Sequence, residues 1–137
     1  MTSNLWTCAK CKRTFARKNQ SHTCKSIKLS YLFKKSPESI KNLFIEFQTL
    51  VGEVIPVKYD AISFAINMKS RRHMGMLFIK NDRIKVEFFL PELIKHPRII
   101  KSASLNNSHT HIVEIFSKED IDRQLLSWLK QAYEFNA

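Results

Sequence analysis

Three cysteines and one histidine in a short N-terminal window are the residues of this chain best suited to chemistry. All the cysteines of the 137-residue sequence lie there, in the arrangement C-x2-C-x10-H-x-C. Thiolates and an imidazole are ligands that Zn²⁺ prefers, and four protein ligands complete a tetrahedron that leaves no position open for a substrate. The spacing therefore predicts a structural zinc site with the ligands Cys8, Cys11, His22 and Cys24.

Two other uses of the cysteines stay open as alternatives, a disulfide and a redox-active CxxC pair. A disulfide framework needs an even cysteine count and an oxidising compartment. This chain has three cysteines, and its first residues lack the basic-then-apolar pattern of a secretion signal. A redox CxxC pair accompanies a βαβ unit, and the following pattern predicts none. Structural zinc in a reducing, cytoplasmic location is the favoured interpretation.

Positive charge is concentrated in the same part of the chain. The formal net charge is +11; residues 1–37 contain nine Lys or Arg and no Asp or Glu, whereas the other hundred residues contain fourteen basic and twelve acidic side chains. Such a basic segment attracts polyanions, and nucleic acid in particular through counterion release. Alternatively, the charges only keep a small zinc module soluble. The candidate nucleic-acid contacts are Lys10, Lys12, Arg13, Arg17, Lys18 and Lys25.

Two segments carry apolar residues at helical spacing. The first is expected to begin with Ser36 as N-cap and Pro37 in the first turn, and to stop at Gly52. The second is expected to begin with Ser117 as its cap. Both stripes predict core-facing helices. The first stripe contains Ile40, Leu43, Phe44, Phe47, Leu50 and Val51, and the second contains Ile121, Leu125, Trp128, Leu129 and Ala132.

Residues 55–116 alternate between apolar and polar positions, which is typical of antiparallel strands with one wet face. Ile62, Phe64 and Ile66 belong to one such run, and Asn81-Asp82 predicts a hairpin turn. The predicted fold class is α+β. It consists of a small N-terminal zinc finger and an antiparallel sheet of about five strands packed with two helices, in the order α-β-β-β-β-β-α. The predicted boundaries are 1–26 for the finger, 27–36 for a connecting segment and 37–137 for the α+β domain.

Catalytic residues are not predicted anywhere in the chain. The sequence has only two glycines and therefore no glycine-rich phosphate loop. Asp60 and Glu87 are expected on the interior side or rim of the sheet, without a visible partner. His109 and His111 lie two residues apart and therefore share one face of a strand. We interpret this face as exposed; alternatively, the two histidines form a pH-sensitive or metal-binding pair. Three basic residues near strand ends line either an anionic pocket or solvated loops: Lys58, Arg71 and Arg72.

The stretch from Trp6 to Cys24 resembles the N-terminus of small bacterial proteins of a domain-of-unknown-function family numbered 5655. The stretches 111–117 and 128–133 are similar to the end of that family. The resemblance implies a compact α+β domain and carries over the four candidate zinc ligands. It implies no catalytic residue.

Two functions follow from these features. The first is a zinc-binding, nucleic-acid-binding accessory or regulatory protein without intrinsic catalysis, whose partner is DNA or RNA and whose Trp6 and Tyr31 stack on unpaired bases. The second is a protein-interaction or small-ligand-binding module in which the zinc finger is only a structural clip. The longest apolar run, residues 74–79, is too short to cross a membrane, so no membrane partner is expected.

Overall fold

The computed structural model describes residues 5–9, 14–15 and 29–137. Within these ranges the chain forms a six-stranded antiparallel sheet with helices packed on one face, which confirms the α+β class. A separate two-stranded pair lies at the N-terminal end. The elements are β1 (Trp6–Thr7), β2 (Thr14–Phe15), α1 (Leu29–Leu32), α2 (Glu38–Gly52), β3 (Lys58–Ala61), β4 (Ile66–Lys69), β5 (His73–Ile79), β6 (Ile84–Leu90), β7 (Lys101–Leu105), β8 (Ser108–Ile115) and α3 (Arg123–Phe135).

The sheet has the strand order β3-β4-β5-β6-β8-β7, so it is not a simple meander. Strand β8 lies against β6, and β7 is left on the edge with β8 as its partner. The hairpin at Asn81-Asp82 is confirmed, because the Lys80 backbone N–H donates to the Arg83 carbonyl at 2.9 Å. The turn between β7 and β8 places Asn106 in the left-handed region at φ 56°, a conformation that asparagine tolerates better than most residues.

The sheet has one strand more than the sequence predicts. The alternation of Ile62, Phe64 and Ile66 suggests a single strand, but residues 62–65 form the turn that joins β3 to β4. The Ile62 backbone N–H donates to the Ala65 carbonyl at 2.8 Å and closes this turn. Phe64 therefore lies on the surface, with 65% of its area exposed. Period-two alternation alone did not distinguish a turn between two short strands from one longer strand.

The helices also begin differently from the prediction. Helix α2 has Pro37, not Ser36, as its N-cap residue, and Gly52 is its last residue rather than the residue after it. Ser117 caps a single 3₁₀ turn, Lys118–Asp120, instead of the final helix. Helix α3 begins after Asp122, whose carboxylate accepts the Leu125 backbone N–H at 3.0 Å. Two potential caps lie close together here, and each starts its own helical segment.

One face of the sheet and the apolar stripes of α2 and α3 form a continuous core. Alternate residues of β6 are fully buried, from Ile84 to Leu90, while the residues between them are half-buried on the opposite face. Both predicted stripes pack into this core, with Leu50 at its margin. Phe33 is also buried there and contacts Phe44, with ring centroids 5.1 Å apart. The segment before α2 is thus packed on the domain. The opposite side of the sheet, called here the open face, carries no helix among the described residues.

His111 lies on the core face, contrary to the interpretation of an exposed histidine pair. Its register partner is Phe88, whose side chain points into the core, and His111 has 0% of its area exposed.

Asp60 and Glu87 were expected on the interior side or rim. They lie instead on the open face, because their neighbours Ala61, Val86 and Phe88 are the residues that face the core.

In the part of the chain that the structure describes, no helix is both long and apolar enough to cross a membrane.

Candidate nucleic-acid interface

The predicted zinc ligands fall mostly outside the described residues. Cys8 is described, whereas Cys11, His22 and Cys24 are not. No group of three or more His, Cys, Asp or Glu side chains among the described residues is placed to hold a metal ion. The zinc site therefore stays a prediction.

The surroundings of Cys8 fit that prediction. Strands β1 and β2 pair antiparallel, with Trp6 opposite Phe15 and Thr7 opposite Thr14. Cys8 follows β1 directly and is 5% exposed. The CxxC segment thus follows β1 in the connection between β1 and β2, and Cys11 of this segment lies outside the described residues. Two aromatic positions are opposite each other on the strands that lead into and out of this connection.

The predicted nucleic-acid contacts of the finger also lie outside the described residues; they are Lys10, Lys12, Arg13, Arg17, Lys18 and Lys25. The described portion of the acid-free segment begins at Leu29 and contains two lysines, Lys34 and Lys35. It also contains Tyr31, one of the two aromatic residues predicted to stack on bases. The other, Trp6, lies in β1 and is partly buried.

Helix α1 and the turn after it hold Tyr31, Lys34 and Lys35 together on the surface. Leu29, Leu32 and Phe33 pack towards the core. The turn is closed by backbone hydrogen bonds from Lys34 to Tyr31 at 3.3 Å and from Ser36 to Phe33 at 3.0 Å. Because the apolar residues face inward, Tyr31 and the two lysines point to solvent, and Tyr31 is 59% exposed.

These three residues, with Leu32 and Ser63, line an open surface cleft of about 450 Å³. We call it the Tyr31 cleft. Ser63 belongs to the β3–β4 turn, so the cleft lies between α1 and the edge of the sheet. Phe64, the next residue of this turn, is a second exposed aromatic residue. The sequence did not reveal Phe64 as a surface residue, because it was assigned to the interior of a strand.

The positive charge of the cleft is not offset by the ion pairs that the described residues form. They include pairs that join Lys41 to Glu38, Arg83 to both Asp82 and Glu114, and Arg98 to Asp122. Neither Lys34 nor Lys35 takes part in one of them. The two exposed ammonium groups can bind a phosphate. The exposed phenol ring beside them can stack on a base.

The acidic residues before α3 are engaged within the domain. Asp122 caps α3 and accepts a hydrogen bond from Arg98 Nη1 at 2.7 Å. Asp120 accepts the backbone N–H groups of Phe116 and Ser117 at 2.7 and 3.3 Å. Pairing of the finger with Glu119, Asp120 and Asp122 would have favoured the structural-clip alternative. For Asp120 and Asp122, the described hydrogen bonds run to neighbours within the domain.

The titratable groups of the sheet do not form a catalytic constellation among the described residues. Burial raises the pKa of Glu87 on the open face and the pKa of the Tyr59 hydroxyl on the core face. His109 Nδ1 lies 2.7 Å from Ser104 Oγ. A general base needs a second group that orients it, and no described side chain does this for Glu87.

Residues 30–136 of the chain match the model of a family described as a domain of unknown function, DUF5655. The match covers the Tyr31 cleft, the whole six-stranded sheet and α3. No curated protein and no solved structure matches the chain.

Proposed function

The chain belongs to the DUF5655 family of domains of unknown function, and we propose that it is a zinc-binding accessory or regulatory protein that binds single-stranded DNA or RNA without catalysis. The observation that carries the proposal is the Tyr31 cleft, where an exposed aromatic ring and two lysines lie together. The cleft is part of a segment, residues 1–37, that holds nine basic and no acidic residues.

Single strands suit this surface better than duplexes. Unpaired bases stack on exposed aromatic side chains, and each stacked base contributes about 1–3 kcal/mol. A duplex keeps its bases stacked on each other, so Tyr31 and Phe64 would gain nothing from it. The lysines contact phosphates whatever the sequence, because the backbone charge is the same at every nucleotide.

In this proposal Zn²⁺ is structural. Cys8, Cys11, His22 and Cys24 would hold it, and the metal would fix the fold of a segment too small to be stabilised by burial. The folded finger would then present Lys10, Lys12, Arg13, Arg17, Lys18 and Lys25 to further phosphates. The β1–β2 hairpin, with the CxxC segment at its connection, supports this assignment.

One observation favours the alternative, a protein-interaction or small-ligand module. A groove of about 260 Å³ runs between α1 and α2, and its lining is mostly apolar. It includes Leu29, Phe33, Phe44 and the exposed Ile45. Such a groove suits an apolar side chain of a partner rather than a phosphate.

Binding of fluorescein-labelled 20-nucleotide single strands, followed by anisotropy, tests the proposal. Tyr31→Ala should weaken binding by about 1–3 kcal/mol for DNA and RNA alike, because it removes one stacking platform. The control is Tyr133→Ala, which removes a tyrosine of α3, away from the cleft. Equal affinity of the wild type and Tyr31→Ala for single strands would overturn the assignment of the cleft. A wild type that prefers duplex would overturn the stacking mechanism.

A second set of variants separates the two functions. Ile45→Ser changes the apolar groove but leaves the lysines and Tyr31 in place. The nucleic-acid proposal predicts unchanged oligonucleotide binding for this variant. Loss of binding in Ile45→Ser with retention in Tyr31→Ala would overturn the assignment of the cleft, and a wild type that binds no oligonucleotide would favour the interaction-module alternative.

A further inference from the structure

A second group of basic side chains lies on the open face of the sheet, at the end near the β4–β5 turn. Lys58 of β3 and Lys69 of β4 are direct register partners in the antiparallel pair. Lys69 is in turn the register partner of His73 on β5. One row across three neighbouring strands therefore carries two lysines and a histidine. Like charges directly opposite each other destabilise a strand pair, so this row is costly to the sheet.

A β-bulge creates the row. The register between β4 and β5 shifts between Met68 and Lys69, so that Met68 pairs with Gly75 while Lys69 pairs with His73. Without the shift, the partner of Lys69 would be Met74, which is fully buried. Bulges commonly redirect side chains at functional sites, and this one directs His73 to the same face as Lys69.

The turn that follows is held in a fixed place. Arg72 donates its backbone N–H to the Asn136 carbonyl at 2.9 Å and its Nη2 to the Phe135 carbonyl at 2.8 Å. The Ser70 backbone N–H donates to the Arg72 carbonyl at 3.0 Å. Arg72 thus anchors the turn to the C-terminal end of α3. Arg71 precedes Arg72 in the same turn and is partly buried.

Two nitrogen atoms of this group are buried and have no hydrogen-bond partner within the described part of the chain. They are Arg71 Nε and His73 Nε2. The His73 ring is also held in place by an edge-on contact with Phe89, whose centroid is 5.2 Å away. Arg71 Nε is a donor, and a buried donor without an acceptor costs about 1–3 kcal/mol, a cost that a bound oxyanion accepting from it would remove.

We propose that this end of the open face binds a phosphate group through Lys58, Lys69, Arg71 and His73. The nearest carboxylate on the same face, Asp60, lies opposite Asn67, one register pair further from the turn. Glu87 lies on the same face as the register partner of Met76 on β5, so three permanent positive charges share this part of the face with two carboxylates. Burial lowers the pKa of His73, and the Lys69 charge adds to this, while a backbone hydrogen bond with Gly75 opposes it. A bound phosphate would raise the pKa of His73 again.

The proposal does not rest on nucleic-acid binding at the Tyr31 cleft, because a phosphate group can belong to a nucleic acid or to a small phosphorylated compound. The probe is sodium pyrophosphate, compared with sodium chloride at equal ionic strength and read from the His73 imidazole resonances in a pH titration by NMR. We expect saturable shifts of these resonances and a higher His73 pKa with pyrophosphate. Lys58→Ala and Arg71→Ala should each weaken the binding about tenfold, as expected for loss of one charge-assisted contact.

The matched control is Lys101→Ala, which removes the same charge from the same face at the far edge strand, β7. It should bind pyrophosphate like the wild type. A structural role for Lys58 predicts a less stable variant, whereas our account predicts that Lys58→Ala is at least as stable as the wild type, since it relieves the repulsion by Lys69.

A labelled single strand distinguishes the two sources of the phosphate. If the oligonucleotide shifts the His73 resonances and Lys58→Ala weakens its binding, the phosphate is part of a nucleic acid. If only pyrophosphate does so, the ligand is a small phosphorylated compound. The proposal is overturned if neither probe shifts His73, or if Lys101→Ala weakens binding as much as Lys58→Ala. Whichever of these results is obtained, nucleic-acid binding at the Tyr31 cleft is tested separately, by the affinity of Tyr31→Ala for single strands.

Discussion

At the scale of single residues, His111 is the most buried titratable side chain among the described residues, with 0% of its area exposed. Its Nε2 accepts the Ile94 backbone N–H at 2.9 Å, so the neutral ring carries its proton on Nδ1. Nδ1 is buried and has no partner among the described residues. The ring stacks on Phe88, with centroids 5.5 Å apart. Burial lowers the pKa of His111 from its ordinary value of 6.5; backbone hydrogen bonds with His109 and Phe88 oppose this, and the charge of His109 adds to it.

We therefore expect acid to destabilise the fold through His111. The folded state resists protonation, whereas the unfolded chain takes up a proton as the pH falls through about 6.5. The free energy of unfolding should fall below that pH, by at most about 1.4 kcal/mol per pH unit, until the lowered pKa of the folded state is reached. Urea denaturation between pH 8 and pH 5 measures this, and His111→Gln should show a shallower fall than the wild type. Parallel pH profiles for the two proteins would contradict it.

At the scale of elements, helix starts decide how the segment after β8 is arranged. The residues 117–122 were predicted to be the first turn of one helix, but they hold two caps, Ser117 and Asp122, five positions apart. The 3₁₀ turn between them is closed by a capping box in which Ser117 and Asp120 satisfy each other's backbone N–H groups. Sequence patterns located the amphipathic stripe of α3 and missed this break, because both caps are good N-cap residues.

Removal of the second cap tests this arrangement. Asp122→Ala removes the acceptor of the Leu125 N–H and the ion pair with Arg98. We expect it to lower the free energy of unfolding by about 1–2 kcal/mol, the usual cost of a lost N-cap. Asp82→Ala is the matched control, since Asp82 is also 2.7 Å from an arginine, Arg83, but caps no helix. An exposed pair contributes less than about 1 kcal/mol, so equal losses in urea denaturation would rule out the capping role.

The sheet shows which elements sequence patterns can predict. The hairpin at Asn81-Asp82 and the buried stripes of α2 and α3 were found because turn residues and apolar periodicity are local signals. The turn at 62–65 was missed, since Ile62 and Phe64 mimic strand alternation. The position of β8 beside β6 was missed as well, because strand order depends on contacts distant in sequence. The exposed Phe64 follows from the missed turn, and the His73 row follows from the β-bulge between β4 and β5; neither had a signal of its own in the sequence.

At the scale of the whole molecule, we propose two parts with separate sources of stability. The α+β domain is held by a continuous apolar core, whereas the finger would depend on metal. Zinc binding supplies on the order of 10 kcal/mol in comparable peptides. Chelation by EDTA should therefore remove amide protection from residues 5–25 in hydrogen exchange and leave residues 37–137 protected.

The matched variant for chelation is Cys8→Ser, which removes one ligand and should reproduce the loss of protection in the presence of zinc. Zinc content of the purified protein should be about one ion per chain for the wild type, as a four-ligand site implies. If the apo protein keeps the same protection over residues 5–25, the structural-zinc account is wrong, whatever the nucleic-acid experiments show.

The central claim is electrostatic attraction of a single strand to the Tyr31 cleft, and the salt dependence of binding measures it most directly. The logarithm of the binding constant should fall linearly with the logarithm of the salt concentration, and removal of two phosphate contacts should make the slope shallower by about 1.4. Lys34→Ala/Lys35→Ala is the test protein. Lys80→Ala/Lys130→Ala, which removes two exposed lysines from the β5–β6 turn and α3, is its charge-matched control and should keep the wild-type slope. A flat response of the wild type, or the same slope for both double variants, would contradict the account.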